Sequence, residues 1–244
     1  QYANYLKEQA NFWIKVAKDN QASAINADQF TQIQTDNENG LTLIGKEKWD
    51  KSIAVFQKVI SDIDFLLKNL QNESKTGLAE VNQLKDELLK EGATENAPEY
   101  VEKLNQRIAE IQNLIDRDYN YRRALFVRDQ ARQDKLEGVI QTKKVKSQKQ
   151  ITEIENLMDE ATNLGADLYA LQNYRAVTKD FENLLTKFYD ENFDTVLVQA
   201  PDLKPKVQAL ILETKQKGAQ AKMDAVQAAI NSLTDGKARI YLPG

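Results

Sequence analysis

Val101, Leu104, Ile108, Ile111 and Ile115 alternate by three and four residues without an error, a heptad seam that only a helix packed lengthwise against another helix can bury. The rest of the chain agrees with that geometry. Its 244 residues contain 9 Gly and 4 Pro, too few for the turns of an all-β fold. The expected fold is all-α: an elongated helical bundle or hairpin array with long central antiparallel helices.

Apolar spacing predicts helices over residues 2–18, from the Asn26 cap to about 44, and over 48–70, the last with a stripe through Trp49, Ile53, Phe56, Val59, Ile60 and Ile63. The pattern loosens over 72–77, and a fourth helix carries Leu78, Val81, Leu84 and Leu88 to Gly92. Asn96 as cap, Pro98 in the first turn and Glu99 open the fifth. Beyond Tyr119 a long helix-forming stretch is expected to bend between Gly138 and Gln150, where apolar content falls. Helices over about 161–171 and 174–189 follow. Pro201 and Pro205 predict a long ordered loop, and the last helix is expected over about 206–233 with its stop at Asp235-Gly236. This reads as a single helical domain over 1–236, with a long hairpin over about 74–157 and an extended tail or linker over 237–244.

Composition excludes several classes of function. A net charge of -4 leaves no general basic surface for nucleic acid. There is no Cys and no His, which removes thiolate sites, the serine-triad relay and the usual general base and zinc ligand. The missing thiols also suit an oxidising compartment. Asp36 to Gly40 mimics a calcium loop, but Thr35 and Lys46 would fill its first and twelfth positions, and neither suits calcium. The carboxylate pairs Asp62/Asp64 and Asp190/Glu191 read as surface charge, because a helical di-iron site needs Glu-x-x-His. No enzyme activity, metal or cofactor is expected, and no apolar run is long enough to span a bilayer. The Gln1-Tyr2-Ala3-Asn4 start enters directly into helix, as a trimmed or mature chain would.

Charge is unevenly placed. Between Arg117 and Lys149 stand ten Lys/Arg and four Asp/Glu. This basic band offers Arg122, Arg123, Arg128, Arg132, Lys143, Lys144 and Lys146 to an acidic partner or to anionic lipid headgroups, or else forms a solvated face with local ion pairs to Asp129, Asp134 and Glu137. Tyr119 and Tyr121 beside Arg122 and Arg123 match the residue types of interface hot spots. These nine residues are the candidate partner-binding set. Trp13, Trp49, Phe56, Tyr174 and Phe181 are expected in the core.

Gly40, Trp49, Phe56, Val59 and Ile60 recur 125 residues later as Gly165, Tyr174, Phe181, Leu184 and Leu185. The wording resembles the tetratricopeptide repeat (TPR), with Leu164-Gly165 on a first helix and Tyr174 then Phe181 on a second. Asn39 replaces the expected Leu in the first copy, and neither copy has the closing proline. The resemblance implies TPR-like hairpins over about 33–70 and 158–193 and a non-enzymatic scaffold that takes a partner protein, as an acidic or helical segment, in a helical groove. The lack of Cys, the trimmed start and the Pro243-Gly244 tail also look like helical periplasmic lipoproteins of bacteria, including spirochaete proteins. That likeness implies a cell-envelope location with possible peripheral association; the alternatives are a cytoplasmic location and a structural spacer or self-associating coiled coil, as monomer or homodimer.

Overall fold

In the computed structural model the backbone is described for residues 1–240 and the side chains for residues 1–234. The fold is all-α: α1 Tyr2–Asp19, α2 Ala22–Ile25, α3 Ala27–Gly45, α4 Trp49–Lys90, α5 Ala93–Asn96, α6 Pro98–Asp116, α7 Tyr121–Asn163, α8 Ala166–Tyr169, α9 Leu171–Tyr189 and α10 Phe193–Ile240. Asn26 caps α3 as expected, its side chain accepting from the Gln29 N–H at 3.0 Å. Pro98 opens α6, where a missing N–H costs nothing.

One unit of construction is used three times. A long helix ends, a residue with left-handed backbone follows, then a four-residue helix, a single non-helical residue and a helix of 19 residues: α2–α3, α5–α6 and α8–α9. The first left-handed positions are Gln21, Gly92 and Gly165, with φ of 54°, 82° and 85°. Each is followed by an alanine with no exposed surface, Ala22, Ala93 or Ala166, so only a methyl group fits under the turn. A second set of left-handed residues, Glu47, Tyr119 and Glu191, stands 72 residues apart and turns each 19-residue helix into the next long one. For a non-glycine residue this backbone costs about 1–2 kcal/mol. Asn120 and Asn192 then cap α7 and α10 through the N–H groups of Arg123 and Thr195.

The buried side chains fall into two cores, and the chain divides into two compact units between Val139 and Ile140 rather than forming one domain. In the first, α1 and α3 pack on the front of α4, while α6 and the front of α7 pack on its back. In the second, α8 and α9 pack on α10, and the rear of α7 joins them through Lys204–Glu153 and Lys215–Glu160. α7 is helical through 138–150, so the thinning of apolar residues there does not interrupt the helix and coincides with the change of core.

Three further expectations are corrected. α4 does not break at 72–77: Ser74 and Gly77 are buried there, and the Arg128 side chain lies 3.0 Å from where a Gly77 Cβ would stand. Pro201 and Pro205 lie inside α10, not in a loop. Both are exposed, and the helical donors they remove are those to the carbonyls of Leu197 and Pro201, while Val196, Ala200, Leu203, Val207 and Leu210 keep an unbroken buried stripe. α10 also runs through Asp235-Gly236; of the expected tail, residues 241–244 lie outside the described residues.

The 125-residue correspondence joins positions in unlike settings. Gly40 is buried in the middle of α3, whereas Gly165 is the left-handed residue before α8. In the structural register the counterpart of Gly40 is Leu184, and that of Phe56 is Ala200, each 144 residues on. All four are buried.

Candidate interaction surfaces

The basic band is largely neutralised from within. Arg132 makes a two-pronged bond to Glu80, at 2.6 and 2.9 Å, and a further one to Asp129 at 3.0 Å. Arg128 is held by Asp129 at 2.9 Å, Arg123 by Glu110 at 3.6 Å and Lys143 by Asp194 at 2.7 Å. Arg123 also lies over the Phe126 ring, 5.1 Å from its centre. Lys144 is exposed and Lys146 half-buried. Arginine on α7 thus pairs with acids on α4 and α6, and sequence reading could see only the partners within α7 itself.

Tyr119 and Arg122 belong to a structural latch. Asn20, fully buried at the end of α1, donates from Nδ2 to the carbonyls of Val16 at 2.9 Å and Tyr119 at 2.6 Å, and its Oδ1 accepts from the Arg122 N–H at 3.1 Å. Arg122 returns a bond from Nε to the Asn20 carbonyl at 2.7 Å. The Tyr119 ring lies 5.2 Å from Trp13 and 5.9 Å from Phe12. Nδ2 and Oδ1 of the Asn20 side chain thus each reach the α6–α7 turn, while a second Nδ2 bond fixes the amide to α1.

Tyr121 is a core residue, 3% exposed, with Gln71 donating to its hydroxyl at 3.3 Å. Its alanine variant would therefore open a cavity, and it is not a surface probe. Burial holds the phenol above its ordinary value of 10.0, with the Gln71 bond opposing in part. A phenol that resists ionisation when folded stabilises fully below the unfolded value and progressively less as pH rises past it. Alkaline unfolding of the Tyr121→Phe variant, which cannot ionise there, is expected at a higher pH than that of the parent, read by circular dichroism.

Two surfaces remain open in the second unit. Between α9 and α10 lies a groove of about 450 Å³ with Leu184 and Leu203 at its floor and Asp180, Lys187, Asp202 and Lys206 around it. Asp180 and Lys206 bridge it at 2.8 Å. The other surface is the stretch of α10 over residues 219–234, in which every residue is exposed, including Met223, Val226, Ile230 and Leu233. Sequence reading assigned this stretch to a helix without noticing that its apolar residues outlast the core they would pack on.

Among the described residues no group of three or more Asp, Glu, His or Cys stands together as a metal site, and no helix is long and apolar enough to cross a membrane. Compared with models of known families, with curated proteins and with solved structures, the chain matches none.

Proposed function

We propose that this chain is a non-enzymatic protein–protein interaction scaffold that takes a partner protein on a helical groove. The observation that carries this reading is the α9–α10 groove, where an apolar floor lies between acidic and basic side chains, Asp180 and Lys206 among them paired. That arrangement suits a helix or extended segment that buries an apolar side chain and pairs its charges at the rim. Placing the scaffold in a bacterial cell envelope rests on the lipoprotein and TPR resemblances alone.

The test is affinity capture of the purified chain from an extract of its native source, with mass spectrometry after a moderate-salt wash. Asn183 and Gln199 are exposed groove residues, so Asn183→Arg with Gln199→Arg should block the groove and leave the core intact. A stoichiometric protein retained by the parent and lost from the double variant is expected. Equal retention by both would sink the groove. Recovery of the chain by itself favours the second reading, a spacer or self-associating protein, and one observation already supports that alternative: the exposed apolar run of α10.

A further inference from the structure

We infer that residues 219–234 of α10 are the first helix of a further three-helix bundle, covered by another repeat of this chain's own construction that follows α10 in the native polypeptide. Register carries the inference. Among the described residues four stretches of helix hold the same five-position seam, spaced by four, three, four and three: Ala3 to Ala17 in α1, Ser74 to Leu88 in α4, Ser147 to Ala161 in α7 and Ala219 to Leu233 in α10. Each opens on a small residue, and in the first three the left-handed turn residue, Gln21, Gly92 or Gly165, stands four positions after the last. In α7 the whole seam is buried, Ser147, Ile151, Ile154, Met158 and Ala161, and its apolar members share a core with Ala166 of α8, Leu184 of α9 and Leu203 of α10. In α4, Val81 and Leu88 share a core with Ala93 of α5, Leu104 of α6 and Val127 of α7. In α1, Ala3, Ala10, Ile14 and Ala17 are buried, and α3 and α4 pack on that helix. Three times, then, the cover is what comes next in the chain: the four-residue helix, the 19-residue helix and the front of the next long one. In α10, Ala219, Met223, Val226, Ile230 and Leu233 hold the same places and all are exposed. A repeat of this kind buries its face only when the next one stacks on it.

The seam of α10 matches that of α4 most closely: Val226 and Leu233 repeat Val81 and Leu88, and Met223 stands for Leu78. The sequence continues the match. Ala238 and Pro243 stand five and ten residues after Leu233, as Ala93 and Pro98 stand after Leu88, and those two are the buried alanine under the turn and the first residue of α6. α10 itself runs on to Ile240, so the matching turn belongs to the covered, longer chain. One contrast says what the cover contains. Glu80 and Glu87 beside the α4 seam hold Arg132 and Lys135, and Glu153 and Glu160, in the same places on α7, hold Lys204 and Lys215. α10 has Ala225 and Ser232 there, as α1 has Gln9 and Val16, so the arriving long helix needs no bases opposite. The other occupants fit less well. A second copy has no spare set of these helices to offer, because α2–α3, α5–α6 and α8–α9 each pack with a seam of their own. A membrane surface would call for a cationic polar face. Here that face carries Gln220, Asp224, Gln227 and Asn231, tied in two i,i+4 bonds at 2.8 and 2.9 Å.

The proposal goes beyond the groove reading and does not rest on it; of the alternatives it agrees with the spacer and not with self-association. The first test is the coding sequence in the native source. It is expected to run on past Gly244 with a stretch that repeats the pattern of residues 99–139: an amphipathic helix, a turn and the front of another long helix. A stop codon before that stretch is complete, or a continuation without the pattern, overturns the proposal. The second test compares hydrogen exchange of residues 219–234 in the longer chain and in residues 1–244 alone. Exchange there is expected to be at least about tenfold slower in the longer chain, and Ile230→Glu in that chain should restore the fast rate while the helical circular dichroism of the two units is retained. Equal rates in the two chains overturn the proposal. So does slow exchange in residues 1–244 that is lost on dilution, which would show a second copy on the seam. Asn183→Arg with Gln199→Arg should leave these rates unchanged, so failure here and failure of the groove are read separately.

Discussion

Phe56→Ala is expected to destabilise the first unit by about 3–5 kcal/mol, the cost of a large cavity in a core that cannot fully close. Phe56 has no exposed surface, and its ring fills the space that a side chain on Gly40 would take: a Cβ there would lie 2.7 and 2.8 Å from two ring carbons. Gly40→Leu alone should therefore also destabilise, by about 1–3 kcal/mol through overpacking. The second unit has the opposite solution at the same positions, with Leu184 on the 19-residue helix and Ala200 on the long one. Combining Gly40→Leu with Phe56→Ala should then recover a good part of both losses, a coupling within the range of about 0.5–3 kcal/mol seen for contacting residues. Urea unfolding of the four proteins in this cycle measures it. Additive losses would mean that the 144-residue register does not carry equivalent packing.

The second large effect is expected at Asn20. Asn20→Ala leaves the part-buried Tyr119 carbonyl and Arg122 N–H without their partner, at about 1–3 kcal/mol for each group. The backbone carbonyl of residue 20 still accepts from Arg122, so we expect a total loss of about 2–4 kcal/mol rather than the sum of the worst cases. Trp13 reports on the site, because its ring touches Tyr119. The expected result is a lower urea midpoint together with a changed Trp emission in the folded state. An unchanged midpoint would show that water replaces the amide without cost and that the latch is not what holds the α6–α7 turn to α1.

The helices were legible because heptad spacing, the Asn26 cap and Pro98 at a first turn are local signals, and local signals suffice to name helices. Where two helices must be recognised as one, the signal is weaker. α4 looked interrupted because its seam passes through Ser74 and Gly77, small residues that read as a loop until Arg128 is found lying across them. The repeat, with equivalent turns 71 to 73 residues apart, was harder still. It is carried by backbone turns, and its shared wording is short: Gly92-Ala93 then Ala97, and Gly165-Ala166 then Ala170, with Gln21-Ala22 in the first unit. A search for shared large aromatics led instead to a 125-residue correspondence between unlike positions. Tyr121 drew attention through its basic neighbours, yet Tyr121, Ala124, Val127 and Ala131 recur by three and four and all are buried. Two alanines in four positions made that stripe easy to overlook. The ion pairs of the basic band lie between helices, and no local reading could have matched Arg132 with Glu80 or Lys135 with Glu87.

The continuity of α4 limits how the length of this chain can change. Its front half is buried with α1 and α3 and its rear half with α6 and α7, with no joint between them. One residue added between Leu70 and Ser74 would rotate everything after it by about 100° and shift it by about 1.5 Å. Val81 and Leu88 would then leave their core together, and Glu80 would leave Arg132. The turns ahead of α5 and α8 face no such restriction, since a residue added there changes a connection and not a phase, whereas the turn ahead of α2 carries the Asn20 latch. Viable length variants of this protein should therefore gather at the turns ahead of α5 and α8 and spare the middle of α4.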